Sequence, residues 1–103
     1  MMRATELRKS ARDKPCTLRI PGVCRNDTST TVWAHSNEIR HGKGTGNKAH
    51  DLFGCYACGP CHHWYDAGTA SRAEKRARFR DAWEMSLIMA CESGLFDKGD
   101  GRA

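Results

Sequence analysis

What most constrains this chain is a mismatch between its cysteines and its apolar residues. Residues 1–60 hold few runs of Leu, Ile, Val or Phe and many glycines, so burial alone cannot offset the entropy of ordering them. Six cysteines are available as a staple instead. At 103 residues the chain is too short for two independent cores, and one domain is expected. An even cysteine count fits three disulfides in a secreted mini-protein. The opening Met1-Met2-Arg3-Ala4-Thr5-Glu6-Leu7-Arg8-Lys9 lacks the apolar core of a signal peptide, however, and no later stretch is long enough to cross a membrane. A cytoplasmic protein is therefore expected. In that reducing compartment clustered cysteines point to metal rather than to disulfides.

The net charge of +5 is unevenly spread. Residues 1–50 carry 10 Lys/Arg against 4 Asp/Glu, whereas residues 51–103 carry 7 against 8. The basic excess sits on the loop-rich half, which suits a polyanionic partner such as nucleic acid.

Residues 1–15 are polar and basic, with a helical turn expected around Glu6–Arg12 and a stop at Pro15. Leu18 and Ile20 alternate with Arg19 as in a short strand, and Pro21-Gly22 is a turn signal that sets Cys16 and Cys24 at the ends of a tight loop. Residues 30–35 are β-branched and aromatic, predicting a strand that ends at His35. Residues 36–50 read as an irregular Gly/Lys loop. A second strand is predicted over 51–57, then a turn of helix from Cys61 through Asp66. Ser71 with Glu74 has capping-box spacing and opens a longer helix, whose apolar stripe Phe79, Trp83, Leu87 and Ala90 ends at Gly94. The expected class is α+β. The chain divides into a basic segment 1–15, a core 16–68, a helical 69–95 and a tail 96–103.

Cys58-x-x-Cys61 has the spacing of a zinc knuckle, in which two thiolates on one turn bind a tetrahedral ion at about 2.3 Å each. Cys16 and Cys24 are the natural second pair. A four-cysteine structural zinc would close a long loop and couple folding to metal binding. A redox pair is the competing reading, but no βαβ setting accompanies the motif. Cys55 is near enough in sequence to compete as a ligand, and Cys91 reads as a small buried residue.

His62 and Asp66 stand at i and i+4 on the helix after the knuckle, so they project from one face. One imidazole and one carboxylate suit a divalent ion with open coordination positions, such as Mg²⁺; the plainer role for His62 is support of the knuckle. His35 ends the first strand and Asp51 opens the second, so a hairpin would carry both beside the helix of His62. Phosphodiester hydrolysis needs a base of near-neutral pKa and an ion to stabilise developing charge. His35 supplies the first and His62 with Asp66 the second. Arg40, Lys43 and Lys48 in the intervening loop could hold a phosphate backbone without reading bases, whereas Arg72, Lys75, Arg76, Arg78 and Arg80 spread around the last helix as on a solvated face.

The ordered set Ala34-His35, a Gly/Lys loop, Asp51-Leu52 and Cys58-x-x-Cys61-His62 resembles the ββα-metal (His-Me finger) core of HNH endonucleases. The finer pattern is similar to the YbcO-like nucleases of prophages, related to the RecA-dependent nuclease Ref. It comprises Leu7-Arg8-Lys9, Cys16, Ile20-Pro21-Gly22-Val23-Cys24, Ala34-His35-Ser36-Asn37, Gly42-Lys43-Gly44, Asp51-Leu52 and Cys61-His62-x-x-x-Asp66, covering residues 7–95. The resemblance implies a phage-encoded, metal-dependent DNA endonuclease in a bacterial cell. It makes His35 the general base, Asp51, where the HNH pattern has Asn, an orienting group or a metal ligand in its own right, and His62 a metal ligand. Ala34 stands where many HNH enzymes carry a further ligand. Kinship with Ref implies a recombinase filament such as RecA as a partner. The rival function is a non-catalytic zinc-stapled nucleic-acid-binding module, which has no need of His35, Asp51 and His62 together.

Overall fold

A computed structural model describes residues 4–42 and 50–95. Five main elements follow in chain order: α1 (Ala4–Ser10), β1 (Val32–His35), β2 (Gly54–Ala57), α2 (Gly59–Ala67) and α3 (Arg72–Glu92). Single 3₁₀ turns at Thr28–Thr30 and Ile39–His41 flank β1. The strands pair antiparallel, with Val32 opposite Ala57 and His35 opposite Gly54. Among the described residues this two-stranded sheet is the centre of an α+β fold. No helix there is long and apolar enough to cross a membrane.

The pleat sends alternate side chains to opposite faces, and both faces are covered. Ala34, Cys55 and Ala57 join Cys61 and Tyr65 of α2 and Phe79 and Ala82 of α3 in one cluster. Trp33 and Tyr56 join Leu7 and Ala11 from the α1 end and Ala90 of α3 in another. All four residues of β2 are buried, which explains why its sequence shows no polar alternation. Trp33 and Tyr56, directly opposed, meet edge to face at 5.2 Å between ring centroids.

The long helix opens as expected, with the Ser71 hydroxyl accepting from the Glu74 N–H at 3.1 Å. Its buried face is Phe79, Ala82, Ser86 and Ala90, so the predicted stripe is rotated: Trp83 and Leu87 flank the seam instead of filling it. Small residues allow close approach to β2, and the Ser86 hydroxyl satisfies the Tyr56 N–H at 3.0 Å while donating to the Ala82 carbonyl. A purely apolar residue there would leave a buried donor unpaired.

Two further expectations are corrected. The segment carrying Leu18 and Ile20 is a turn rather than a strand, because Arg19 takes φ +47° and bends the chain. Cys91 is exposed on α3, not buried.

The second strand begins at Gly54, three residues later than expected, and Asp51-Leu52 form a turn before it. Two indoles hold that turn: Trp33 Nε1 donates to the Asp51 carbonyl at 2.7 Å, and Trp83 Nε1 to the Leu52 carbonyl at 2.9 Å. Gly54 is required beneath the first of them, since a Cβ there would lie inside the van der Waals shell of the Trp33 ring. Gly54→Ala is expected to cost about 1–3 kcal/mol by overpacking. A drop in the melting temperature of several degrees checks this, because roughly 4–8 °C accompanies each kcal/mol at this size.

Candidate functional site

The cysteine centre is built from two bends in the chain. Cys16, Cys24, Cys58 and Cys61 converge with all four sulfurs within 4.8 Å of one another. The Sγ atoms of Cys24 and Cys58 are 3.9 Å apart. Metal–sulfur bonds of 2.3 Å in a tetrahedron demand an edge of about 3.8 Å, so the spacing fits. The Arg19 turn aims backbone donors at the sulfurs: Arg19 N–H faces Cys16 Sγ and Ile20 N–H faces Cys61 Sγ, each at 3.5 Å. The Asn26 side chain braces the same bend by accepting from the Cys16 N–H at 3.0 Å. At Cys58 burial works against the thiolate, but donors at Cys61 and Arg25 outweigh it and hold the thiol at about 7. Burial, with repulsion from Cys16, pushes the Cys61 thiol up. These four form a group that could hold a metal ion. Cys55 does not join them; it lies in β2 opposite Ala34, fully buried, and burial raises its thiol.

The acid–base residues come as two pairs. At the end of β1, His35 Nε2 lies 2.6 Å from Asp51 Oδ1. The turn held by the two indoles is what delivers Asp51 to that position. Arg8 of α1 approaches the same oxygen at 3.6 Å. Burial opposes ionisation of Asp51, yet the His35 hydrogen bond and the Arg8 charge prevail and keep its carboxyl below the usual 3.8. A group depressed in this way stabilises the fold above its unfolded pKa and loses that contribution as pH falls through the folded value. Arg8→Gln is accordingly expected to raise the Asp51 pKa toward 3.8, read by carboxyl NMR titration.

On α2, His62 Nε2 lies 2.9 Å from Asp66 Oδ2. That hydrogen bond raises the His62 pKa above 6.5 against the opposing effect of burial. The separation also matches the cis edge of an octahedral ion with ligands at 2.0–2.1 Å, about 3 Å. Among the described residues the cysteines are the only group of three or more metal-ligand atoms that converge, so the His35 and His62 pairs stand as two pairs and not as one cluster.

Several participants had no distinct chemical signal in the sequence. Arg8 is one, noted only within a motif. Ser36 and His41 are others: fully buried Ser36 takes hydrogen bonds from Glu38 N–H at 3.0 Å and pairs with His41 Nδ1 at 2.6 Å, and the His41 ring stacks on Phe53 with centroids 4.1 Å apart. Phe53 in turn stacks on Trp83, completing the support of the Asp51 turn from the far side. Of the basic residues proposed from the loop, Arg40 is half exposed and its Nε lies 2.8 Å from Glu38 Oε1. Lys43 and Lys48 lie outside the described residues.

Comparison with known proteins gives consistent relatives. A protein from Escherichia coli K12 described as "Putative nuclease YbcO" is 40% identical over 87 residues, covering 76% of this chain and 90% of that relative. A protein of Enterobacteria phage 82 with the same description matches to the same extent. Among solved structures, a putative bacteriophage protein from E. coli K-12 MG1655 superposes with a TM-score of 0.66 at 28% identity, covering 84% of this chain and 98% of the other. The sequence profile of the family described as "Putative nuclease YbcO" matches residues 5–91. With its sheet, both residue pairs and all but the first residue of α1 and the last of α3 inside that span, the chain belongs to the YbcO family of nucleases.

Proposed function

We propose that this protein is a metal-dependent DNA endonuclease of the HNH (His-Me finger) type, encoded by a phage or prophage, with a structural zinc on Cys16, Cys24, Cys58 and Cys61. The observation that carries the catalytic reading is the 2.6 Å contact of His35 with Asp51 at the end of a strand in a nuclease family member. With Asp51 ionised, a neutral His35 donates its Nε2–H to the carboxylate and carries its lone pair on Nδ1. That nitrogen takes the proton of the attacking water. Asp51 fixes the tautomer and favours the imidazolium that forms, and Arg8 keeps Asp51 charged. His62 and Asp66 are the residues to hold a divalent ion such as Mg²⁺. When bound, that ion supplies charge stabilisation at the phosphate and leaving oxygen.

The cysteine centre has no part in this chemistry. It joins the Cys16–Cys24 loop to the start of α2, so that His62 follows immediately on a rigid knuckle. The test is supercoiled plasmid incubated with purified zinc-loaded protein, with and without added Mg²⁺ or Mn²⁺. Nicked or linear product that requires the added ion is the expected result. Intact plasmid under every divalent ion tried, with DNA binding retained, overturns it. A RecA-type filament as partner is tested by adding one to the same reaction.

A further inference from the structure

Beside the His62–Asp66 pair lies a groove of about 550 Å³ between the 3₁₀ turn Ile39–His41 and the first turns of α3. Its charged lining is Arg40, Arg72, Lys75 and Arg76, against Glu38 and Asp66. We propose that this groove binds the phosphodiester backbone of DNA next to the scissile bond, with Glu38 as a positioning residue that presets two arginines. The inference rests on the nuclease reading and deepens it by placing the substrate strand.

Three observations support it. First, Glu38 is largely buried, and its single oxygen Oε1 lies 2.8 Å from Arg40 Nε and 3.3 Å from Arg76 Nε. These are charge contacts without well-aligned hydrogen bonds, so Glu38 holds the guanidiniums in place without satisfying them. Two cations gathered on one carboxylate retain a net positive charge, and both side chains stay about half exposed. An anion entering between them relieves their repulsion and accepts from donors already oriented, the arrangement in which arginine–phosphate bonds are strong.

Second, Arg72, Lys75 and Arg76 cluster on one face of the first turns of α3, at i, i+3 and i+4. Helix electrostatics disfavours cations at that end and favours them in the last turn, where α3 has none. Lys75 has a structural partner, its Nζ donating to the Gly68 carbonyl at the end of α2 at 2.7 Å; for Arg72 and Arg76 the helix end gives no such reason, whereas a bound phosphate does. Third, Asp66 lines the groove while pairing with His62, so the groove opens onto the candidate ion site.

The test is binding of a short fluorescent DNA duplex to the full chain with no Mg²⁺ or Mn²⁺ added, so that nothing is cleaved and the cysteine-bound zinc is kept. Arg40→Ala with Arg76→Ala is expected to weaken binding about tenfold at low salt and to reduce the salt slope by about 1.8, the value for two lost phosphate contacts. Arg78→Gln with Arg80→Gln removes the same charge from exposed positions of the same helix outside the groove, and is expected to change affinity far less. Glu38→Gln adds positive charge, so unguided attraction would tighten binding; weaker binding identifies a positioning role, and tighter binding overturns it. Equal losses from the two arginine pairs, or no loss from Arg40 and Arg76, overturn the groove. A parent that binds through these arginines but never cuts leaves the groove standing and removes the nuclease reading. A parent that cuts, with an Arg40/Arg76 variant that binds as tightly, does the reverse.

Discussion

Cys58→Ser is expected to leave the chain unfolded or aggregated and without bound metal. A structural zinc in a small domain contributes about 10–16 kcal/mol at neutral pH. The whole net stability of a domain is about 5–15 kcal/mol, so the loss of the ion exceeds what the rest of the core can offset. The two apolar clusters here are small, and the segment from Cys16 to Cys24 has no regular helix or strand to hold it. Cys16→Ser should behave the same way, since the four sulfurs form one set. Two cysteines serve as controls: exposed Cys91→Ser should be neutral, and buried Cys55→Ser should cost stability while retaining one ion per chain. Metal analysis of protein purified without added metal, with circular dichroism of each variant, reads all four. A well-folded, metal-free Cys58→Ser protein ends the structural-zinc assignment.

His35→Ala and His62→Ala are each expected to lower plasmid cleavage by a factor of a hundred or more, on the order of what general-base assistance or a reactive ion supplies. Neither residue belongs to the cysteine centre, so both variants should keep the fold and about one zinc per chain. DNA binding measured with no Mg²⁺ or Mn²⁺ added should survive, because phosphate contacts carry it. Asp51→Asn separates orientation from charge: the amide can still accept from His35 Nε2–H at the same position, but it does not stabilise the imidazolium. A smaller loss than that of His35→Ala is therefore expected. If the doubly substituted His35→Ala, His62→Ala protein cuts as fast as the parent, the site assignment fails.

The sequence by itself determined the features that depend on local spacing. Cys58-x-x-Cys61 fixes two sulfurs on one turn, His62 and Asp66 meet because helical residues four apart are neighbours, and Ser71 caps because its hydroxyl reaches an N–H three residues on. The pairing of Cys16 and Cys24 with the knuckle was legible too, since the Pro21-Gly22 turn sets both at the ends of one tight loop.

Tertiary structure decided what depends on contacts between distant segments. Nothing local says that the Trp33 indole, seated over Gly54, fixes the Asp51 turn, or that Arg8 from the first helix completes the His35 pair. The buried face of α3 was misjudged because a hydrophobic stripe predicts the greasiest face. The partner, β2, instead needed small residues and one hydroxyl for an otherwise unpaired N–H. Leu18 and Ile20 alternate like a strand, but after the Thr17 N–H donates to the Tyr56 carbonyl of β2 the chain bends at Arg19 so that its N–H groups face sulfur. The basic residues of α3 looked like an ordinary wet face until Glu38, more than thirty positions away in the chain, was seen to gather Arg76 beside Arg40. Short-range geometry is written in spacing, whereas a site assembled across the chain is specified only by the packing that brings its parts together.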